Sequence, residues 1–281
     1  MILNGDTLQE LKKLPSNSID MGITSPPYNK QENKKGWLVA NVKYDIASDK
    51  KTEQQYQQEQ ISVLNELYRV IKPGGNFFYN HKIRWEKGIM FHPISWLLQT
   101  KWNVKQEIIW DRGIAANIRG WRFWQVEERI YWLYKPKNKK DLIGPELQSK
   151  HALCTSIWRI RPENKNRHPA PFPLEIPTRC ILSIMDTHQG TIIDPYCGSG
   201  TTLVAAKLLG HDFIGIDISP EYCKLSQERL DICYKEKEKI DKEISLHCVK
   251  ETFKQRKERG LYKNRIKTQT TLETSLLFQN F

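Results

Sequence analysis

The chain of 281 residues contains no long hydrophobic run and no recognisable targeting segment. No stretch approaches the roughly 18 apolar residues that a membrane-spanning helix needs. Residues 1–6 do not combine a charged segment with a following apolar stretch, which is the pattern of a secretory signal. We therefore expect a cytoplasmic protein with no membrane partner.

Cysteine is also sparse, and its spacing carries no signal. The six cysteines contain no CxxC pair and form no cluster with histidine. Zinc sites and the disulfide frameworks of small secreted domains both depend on such spacings. The sequence therefore predicts free thiols and no metal centre.

Two common nucleotide-binding motifs are missing or incomplete. No GxxxxGK[ST] loop is present, and the third glycine of a GxGxxG motif would fall on Leu203. These absences argue against an NTPase and a dehydrogenase. What is present is Gly198-Ser199-Gly200 between a strand pattern and a helix pattern, with Asp217 at the end of the next strand. Such folds place there an acid that binds ribose hydroxyls, so the spacing fits an adenosine cofactor, whereas a turn without a ligand is the alternative.

Basic residues are in excess over acidic ones. Lys and Arg number 44 against 32 Asp and Glu, which gives a formal net charge of +12. A positive balance of this size favours a polyanionic partner, and nucleic acid is the first candidate.

The hydrophobic periodicity alternates between strand and helix patterns. This alternation is typical of α/β domains with a mostly parallel sheet, and the length fits one main domain. A strand is also expected before Gly198, and a long helix near Ser219, where serine is suited to be the N-cap. The other predicted strands are residues 19–24, 76–80, 104–110, 127–134 and 213–216, and the other main helices are residues 53–71, 88–100 and 174–187.

The segment Thr24-Ser25-Pro26-Pro27-Tyr28 follows the first of these strands directly. Two consecutive prolines fix two φ angles and remove two N–H donors, so the loop is stiff and its carbonyls are held in place. A hydroxyl and fixed carbonyls accept hydrogen bonds from an amino group, and a tyrosine ring offers a face for stacking. The sequence therefore predicts a site for a nucleobase, with a plain proline-rich turn as the alternative.

Together the two motifs resemble those of the amino-methylating DNA methyltransferases. The order, with Ser25-Pro-Pro-Tyr28 before Asp194-Pro-Tyr-Cys-Gly-Ser-Gly-Thr-Thr202, resembles their permuted β class, which is found in restriction-modification systems. The resemblance spans most of residues 1–235. It implies a doubly wound, mostly parallel, seven-stranded Rossmann-like sheet that uses S-adenosylmethionine and carries a small target-recognition insertion. The implied parts are a catalytic half (1–134), the insertion (135–167), a cofactor-binding half (168–235) and a basic helical C-terminal tail (236–281).

The resemblance also implies a role for individual residues. Ser25, Pro26, Pro27 and Tyr28 would handle the target base, and Asp217 would bind the ribose. Asp6 would reach the adenine end of the cofactor. The implied cofactor-binding residues are Asp6, Phe172, Pro173, Asp194, Tyr196, Gly198, Ser199, Gly200, Thr201, Thr202 and Asp217.

The implied reaction is methyl transfer to the exocyclic amino group of a base that is flipped out of the duplex. Carbon-5 methylation of cytosine needs an activated cysteine, and the nearest one, Cys197, lies in the cofactor loop rather than near the base. Serine at position 25 is found in enzymes for cytosine N4 and for adenine N6. We favour adenine N6, because adenine enzymes are the more numerous members with this arrangement. Cytosine N4 methylation, an RNA base methyltransferase and a catalytically dead DNA-binding fold are the alternatives.

The expected partner is double-stranded DNA, and the resemblance adds a homodimer and a cognate restriction endonuclease. The density of aromatics in residues 120–124 favours a buried core position, with a DNA-facing wedge as the alternative. Asn80-His81-Lys82 at a strand end could line the target pocket, although a structural role is favoured for His81. The tail could be a solvated helix or a DNA-binding arm. The candidate DNA-binding residues are Arg119, Arg122, Lys137, Lys139, Lys140, Arg159, Arg161 and Arg167.

Overall fold

A computed structural model of the chain shows one large mixed sheet with helices on both faces. The structure describes residues 1–29, 51–115, 120–141, 143–147, 155–163, 172–186, 188–247 and 253–260. The strands are β1 (Ile2–Asn4), β2 (Ile19–Thr24), β3 (Ile71–His81), β4 (Arg84–Glu86), β5 (Ile89–Phe91), β6 (Asn103–Asp111), β7 (Glu127–Tyr134), β8 (Ile157–Arg159), β9 (Thr191–Asp194) and β10 (Asp212–Asp217). The helices are α1 (Thr7–Lys13), α2 (Glu53–Val70), α3 (Ile94–Leu97), α4 (Glu175–Met185), α5 (Thr201–Leu208), α6 (Pro220–Asp231), α7 (Lys237–His247) and α8 (Phe253–Glu258).

The main sheet has eight strands in the order β1-β10-β9-β2-β3-β7-β6-β8. The five strands from β1 to β3 in this order are parallel, whereas β7 runs antiparallel to both of its neighbours. The outer strand β8 pairs parallel with β6. The expected mostly parallel α/β sheet is confirmed, with eight strands instead of seven.

Alternate residues along the strands bury side chains on opposite faces of the sheet. Phe78 and Trp132 belong to a core that includes residues of α4 and α5, whereas Phe77 and Tyr131 belong to a core that includes residues of α1, α2 and α3. This period of two, with both faces covered, is what a doubly wound sheet requires.

Local sequence signals set several of the element boundaries. Thr52 and Gln55 form a capping box at the start of α2. Ser219 accepts the N–H of Tyr222 at 3.2 Å and Pro220 occupies the first turn of α6, as the sequence predicted. Strand β3 begins at Ile71, directly after α2, five residues before the predicted strand over residues 76–80.

The expectation of a helix over residues 88–100 was wrong. The segment forms strand β5, which pairs with β4, and the four-residue helix α3. Lys87 and Gly88 have φ of 49° and 83° and make the two-residue turn that joins the two strands. The apolar residues that gave the helical pattern, such as Trp96 and Leu97, are buried in α3.

Helix α7, beyond residue 235, is part of the packed fold. Ile240 of α7 lies in the core, and Glu243 forms an ion pair with Arg179 of α4, with an Oε1 to Nε distance of 2.6 Å. Both side chains are buried. Residues 261–281 lie outside the described residues.

Two further sequence expectations concern thiols and membranes. Cys180, Cys197, Cys223 and Cys233 are free thiols, as expected for these four. None of the helices in the described part of the chain combines the length and apolar character that crossing a bilayer requires.

Candidate active site

One edge of the sheet collects the ends of the strands that carry the two motifs. Because β1, β2, β3, β9 and β10 are parallel, their carboxyl ends meet at this edge. Strand β7 is antiparallel, so its first residues, Glu127 and Glu128, lie at the same edge. We call it the catalytic edge.

The segment Ser25–Tyr28 forms a compact loop at the end of β2. Ser25 is partly exposed, whereas Pro26 and Tyr28 are buried. The Tyr28 hydroxyl lies 2.7 Å from Ser25 Oγ and donates to Glu128 Oε2 at 2.9 Å. The Tyr28 ring packs against His81 at a centroid distance of 4.6 Å. The loop therefore has one defined conformation, anchored by side chains from β3 and β7.

Tyr56 of α2 and His81 of β3 contact this loop and hold it in place. The Tyr56 hydroxyl donates to the Pro27 carbonyl at 2.8 Å and shares a 2.7 Å hydrogen bond with His81 Nε2. His81 Nδ1 lies 2.8 Å from the Lys82 carbonyl, and the residue is fully buried. Burial raises the pKa of the Tyr56 hydroxyl well above its ordinary value, so it stays protonated as a donor. These contacts support the structural role that was favoured for His81.

Asp194 at the end of β9 connects the two motifs directly. Its Oδ1 accepts from Thr24 Oγ1 at 2.7 Å, and its Oδ2 accepts from Thr202 Oγ1 at 2.6 Å. Burial raises the pKa of this carboxyl from 3.8 to about 6, against the opposing effect of the hydrogen bonds. The Thr24–Asp194 hydrogen bond therefore joins the strand that leads into the Ser25 segment to the strand that leads into the glycine turn.

The glycine turn between β9 and α5 is held by β10 and α6. Asp217 Oδ2 accepts from the Gly198 N–H at 2.9 Å, and Asp217 Oδ1 accepts from the Ser219 N–H at 2.9 Å. Arg229 of α6 donates to Thr201 Oγ1 at 2.8 Å and to the Ser199 carbonyl at 3.2 Å. Burial raises the pKa of Asp217.

The residues at this turn fit an adenosyl cofactor with an amino-acid tail. Gly200 caps α5 with φ of 75° and supplies no capping side chain, so the first N–H groups of α5 are available to a carboxylate. Asp194 and Asp217 place two carboxyls on adjacent strand ends, where they can accept from hydroxyl and ammonium groups. A side chain at Gly215 would approach Leu203 within 2.6 Å, so β10 and α5 are closely packed.

The remaining predicted cofactor residues are Asp6, Phe172, Pro173 and Tyr196. Asp6 caps α1 and accepts from the Gln9 N–H at 3.0 Å, next to the β1–β10 pair that ends at Asp217. Phe172 is buried in the core with α4 and α5, and Pro173 is buried beside it. Tyr196 directly follows the Asp194-Pro195 step and packs against the opposite core.

The predicted DNA-binding residues are split between the two sheet edges. Arg159 and Arg161 lie at or just beyond the end of β8, on the catalytic edge, and Arg159 Nε is 3.6 Å from Asp111 Oδ2. The segment with Lys137, Lys139 and Lys140 follows the end of β7 and packs near Gly74, at the opposite edge. The structure does not bring these three lysines to the Ser25 loop. Arg119 and Arg167 lie outside the described residues.

The aromatic residues before β7 are exposed, so the expectation that they are core was wrong. Phe123 is 99% exposed, and Trp121 and Trp124 are also mostly exposed. Arg122 lies over the Trp85 ring at 4.2 Å, which joins this segment to the β4–β5 hairpin with its exposed Ile89 and Met90. We call the exposed side chains of Ile89, Met90, Trp121, Phe123 and Trp124 the edge aromatic surface, after its three aromatic members.

Sequence reasoning missed three residues that shape the site. Glu128 accepts from the Tyr28 hydroxyl, Arg112 contacts Glu128, and Arg229 holds the glycine turn. Glu128 had no usable signal, because it lies between Glu127 and Arg129 at the charged start of β7. Arg112 and Arg229 have no local signature, because their partners lie far away in sequence.

Comparisons with known proteins agree with this geometry. A family model described as DNA methylase, N6_N4_Mtase, matches residues 19–228. The type II methyltransferase M.BglII of Bacillus subtilis is 27% identical over 270 residues, covering 82% of this chain and 68% of the relative. The DNA adenine methyltransferase YhdJ of Escherichia coli strain K12 is 26% identical over 259 residues, covering 82% of each chain.

Solved structures show the same fold. The cytosine-N4-specific PvuII DNA methyltransferase superposes with a TM-score of 0.65 at 18% identity, covering 85% of this chain and 91% of the other. A DNA modification methylase of Thermus thermophilus, TTHA0409, complexed with S-adenosyl-L-methionine, gives a TM-score of 0.59 at 21% identity, covering 83% and 95%.

The fold and the two joined motifs define an S-adenosylmethionine-dependent DNA amino-methyltransferase. The chain belongs to the N6_N4_Mtase family of DNA methylases.

Proposed function

We propose that the protein methylates the exocyclic N6 of adenine at specific sites in double-stranded DNA, with the base flipped out of the duplex. The observation that carries the proposal is the Thr24–Asp194 hydrogen bond, which fixes the base loop against the cofactor turn. The likeness to a relative named as a DNA adenine methyltransferase over most of both chains supports adenine as the target.

The chain's own residues hold the cofactor between two strand ends. The N–H groups of α5 would receive the carboxylate of the amino-acid tail, and the remaining lone pairs of Asp217 would accept from the ribose hydroxyls. Asp6, Phe172 and Pro173 border the rest of the site. When bound, S-adenosylmethionine supplies an electrophilic methyl group attached to a sulfonium.

The Ser25 loop orients the amino nitrogen of the target base. This nitrogen is a poor nucleophile, because its lone pair is delocalised into the ring. Hydrogen-bond acceptors at Ser25 and at the Pro26 carbonyl draw its hydrogens into a geometry that frees the lone pair for attack. The rate enhancement then comes mainly from positioning in a prearranged polar site, and no covalent enzyme intermediate is required. Tyr28 contributes its ring as a stacking surface.

A base inside a duplex cannot reach this loop, so one base must unpair and leave the stack, at a cost of a few kcal/mol. The edge aromatic surface supports this step, because exposed aromatic rings near cationic side chains favour contact with unpaired DNA. Arg122, Arg159 and Arg161 contact the DNA backbone or base edges from the same edge of the sheet.

Cytosine N4 is the second candidate, and Ser25 is the observation that favours it. Adenine enzymes commonly have aspartate at this position, and the serine form is associated with cytosine N4 methylation. The chemistry at the amino group is the same for both bases. That the protein forms a homodimer and that it acts beside a cognate restriction endonuclease are predictions that no observation tests.

Replacement of the loop serine tests the proposed reaction. Ser25→Ala removes one acceptor, and we expect methyl transfer from labelled S-adenosylmethionine to mixed-sequence duplex DNA to fall by about 100-fold or more. Equilibrium binding of the cofactor should persist, because the glycine turn is unchanged. Wild-type transfer to RNA in place of DNA, or an unchanged rate in the variant, would contradict the proposal.

A further inference from the structure

A buried polar cluster lies directly behind the Ser25 loop. Asn80, near the end of β3, donates through Nδ2 to Glu128 Oε2 at 3.0 Å and to the Tyr28 hydroxyl at 2.8 Å. The same nitrogen is 3.3 Å from Ser25 Oγ. Asn80 is 3% exposed, so this cluster is shielded from solvent.

The position of Glu128 fixes which way the Asn80 amide faces. An ionised carboxylate can only accept hydrogen bonds, so the NH2 group of Asn80, and not its oxygen, must face Glu128. Arg112 Nη1 contacts Glu128 Oε1 at 3.2 Å and fixes the orientation of the carboxylate. The amide oxygen of Asn80 therefore points away from Glu128.

This oxygen is a buried acceptor that needs a donor. Asn80 Oδ1 has no hydrogen-bond partner among the residues that the structure describes. A buried acceptor left unpaired destabilises the fold, so such groups are normally satisfied. The oxygen belongs to the same amide group that contacts Ser25, so a ligand held by the Ser25 loop is the nearest source of a donor.

We propose that Asn80 Oδ1 accepts a hydrogen from the exocyclic amino group of the target base, and that Glu128 and Arg112 are positioning residues that keep this oxygen in place. The proposal rests on the proposed function. The serine side chain is shorter than the aspartate that is common at the first loop position, so it does not reach as far toward the base. A side chain from the neighbouring strand, Asn80, therefore supplies the acceptor oxygen. An amino group offers two hydrogens and matches an arrangement of acceptors.

Exchanging the amide and the carboxylate provides the test. Asn80→Ala removes the acceptor, and we expect kcat for methylation of duplex DNA to fall by about 100-fold, with cofactor affinity unchanged.

Glu128→Gln presents an NH2 group to Asn80. The Asn80 amide then turns over and directs its own NH2 group at the base, so kcat falls by a similar factor. In the double variant Asn80→Asp with Glu128→Gln, the new carboxylate accepts from the glutamine amide and directs its second oxygen at the base. This variant should recover to within about 10-fold of the wild-type kcat.

A second asparagine on the same strand serves as the control for structural damage. Asn76 is 1% exposed, and its Oδ1 accepts from the Trp132 indole N–H at 2.7 Å. Asn76→Ala should lower the free energy of unfolding, and the folded protein should keep its kcat. Unfolding in urea would be measured for every variant, so that kcat refers to folded protein.

The outcomes separate this inference from the proposed function. An active wild type together with an Asn80→Ala variant of wild-type kcat would overturn the inference alone. Failure of the double variant to recover above Glu128→Gln would do the same, because the second oxygen of the new aspartate would then not act as the acceptor that the inference assigns to this position. A wild type that transfers no methyl group to DNA would overturn both the proposed function and the inference.

Discussion

At the scale of single residues, the site depends on buried carboxyls that are held by hydroxyl and N–H donors. Asp194 illustrates the balance, since it is almost fully buried and yet accepts from Thr24, Thr202 and the Tyr196 N–H. Burial disfavours the charged form, and the hydrogen bonds favour it, with burial the larger effect. The Asp194 carboxyl, which joins the two motifs, is therefore ionised at neutral pH, and its ionisation lowers the free energy of unfolding.

The raised pKa of Asp194 predicts a pH dependence of stability. Because its pKa in the folded state is about 6, above its ordinary 3.8, its contribution to stability is full below about pH 4 and is lost as the pH rises through 6. The shift corresponds to about 3 kcal/mol. Relative to the wild type, Asp194→Asn should therefore gain up to that amount of unfolding free energy between about pH 4 and pH 7. Urea unfolding at both pH values measures it, and the same difference at both would contradict the assignment.

At the scale of elements, the cofactor turn needs glycine for reasons that the neighbouring elements impose. Gly200 has φ of 75°, and a side chain there would meet Ser226 Oγ of α6 at 2.8 Å. Ser226 in turn donates to the Gly198 carbonyl at 2.7 Å, so the turn and α6 support each other. This contact explains why the turn, Gly198-Ser199-Gly200, consists of small residues.

Gly200→Ala should therefore destabilise the protein by roughly 2–3 kcal/mol and weaken cofactor binding. Part of the loss comes from the positive φ, at about 1 kcal/mol, and the rest from displacing Ser226. Gly88→Ala is the matched control, because Gly88 has φ of 83° and open space around it. Its loss should be about 1 kcal/mol, with cofactor affinity unchanged. Equal losses for the two variants in urea unfolding would show that the Ser226 contact does not matter.

The hairpin and the loop before β7 form the element that we expect to meet unpaired DNA. Phe123→Ala and Trp124→Ala should each raise the KM for duplex DNA by about 10-fold, the effect of losing one base–aromatic contact, without changing cofactor affinity. Ile143→Ala is the control, because Ile143 is 80% exposed and follows β7 at the opposite edge. A KM for the aromatic variants equal to that of the control would remove this surface from the DNA interface.

At the scale of the whole molecule, part of the predicted target-recognition insertion (135–167) lies in the main sheet. Strand β8 adds the eighth strand, and Trp158 is buried, with the Arg179 guanidinium over its ring at 4.9 Å. Helix α7 is anchored to α4 by the buried Arg179–Glu243 pair. The three arginines that remain candidates for DNA contact in the described part of the chain all lie near the catalytic edge.

The sequence was sufficient to predict what depends on local patterns. Ser25–Tyr28, the glycine turn and Asp217 were found because prolines, glycines and a strand-end acid restrict the backbone locally. The sequence placed Asn80 at a strand end near the target pocket, but its contact with Glu128 could not be predicted, because this contact depends on the antiparallel register that places Asn80 opposite Ile130. The exposure of Phe123 also follows from tertiary structure, since aromatic composition by itself favours a core position.

The central claim is that the Ser25 loop and the glycine turn together methylate an amino group of a DNA base. The most direct measurement is nucleoside analysis of mixed-sequence duplex DNA after incubation with the wild-type protein and labelled S-adenosylmethionine. We expect label in N6-methyladenine; label in N4-methylcytosine would change the target base while keeping the reaction. Label in 5-methylcytosine, or an unlabelled duplex, would contradict the account.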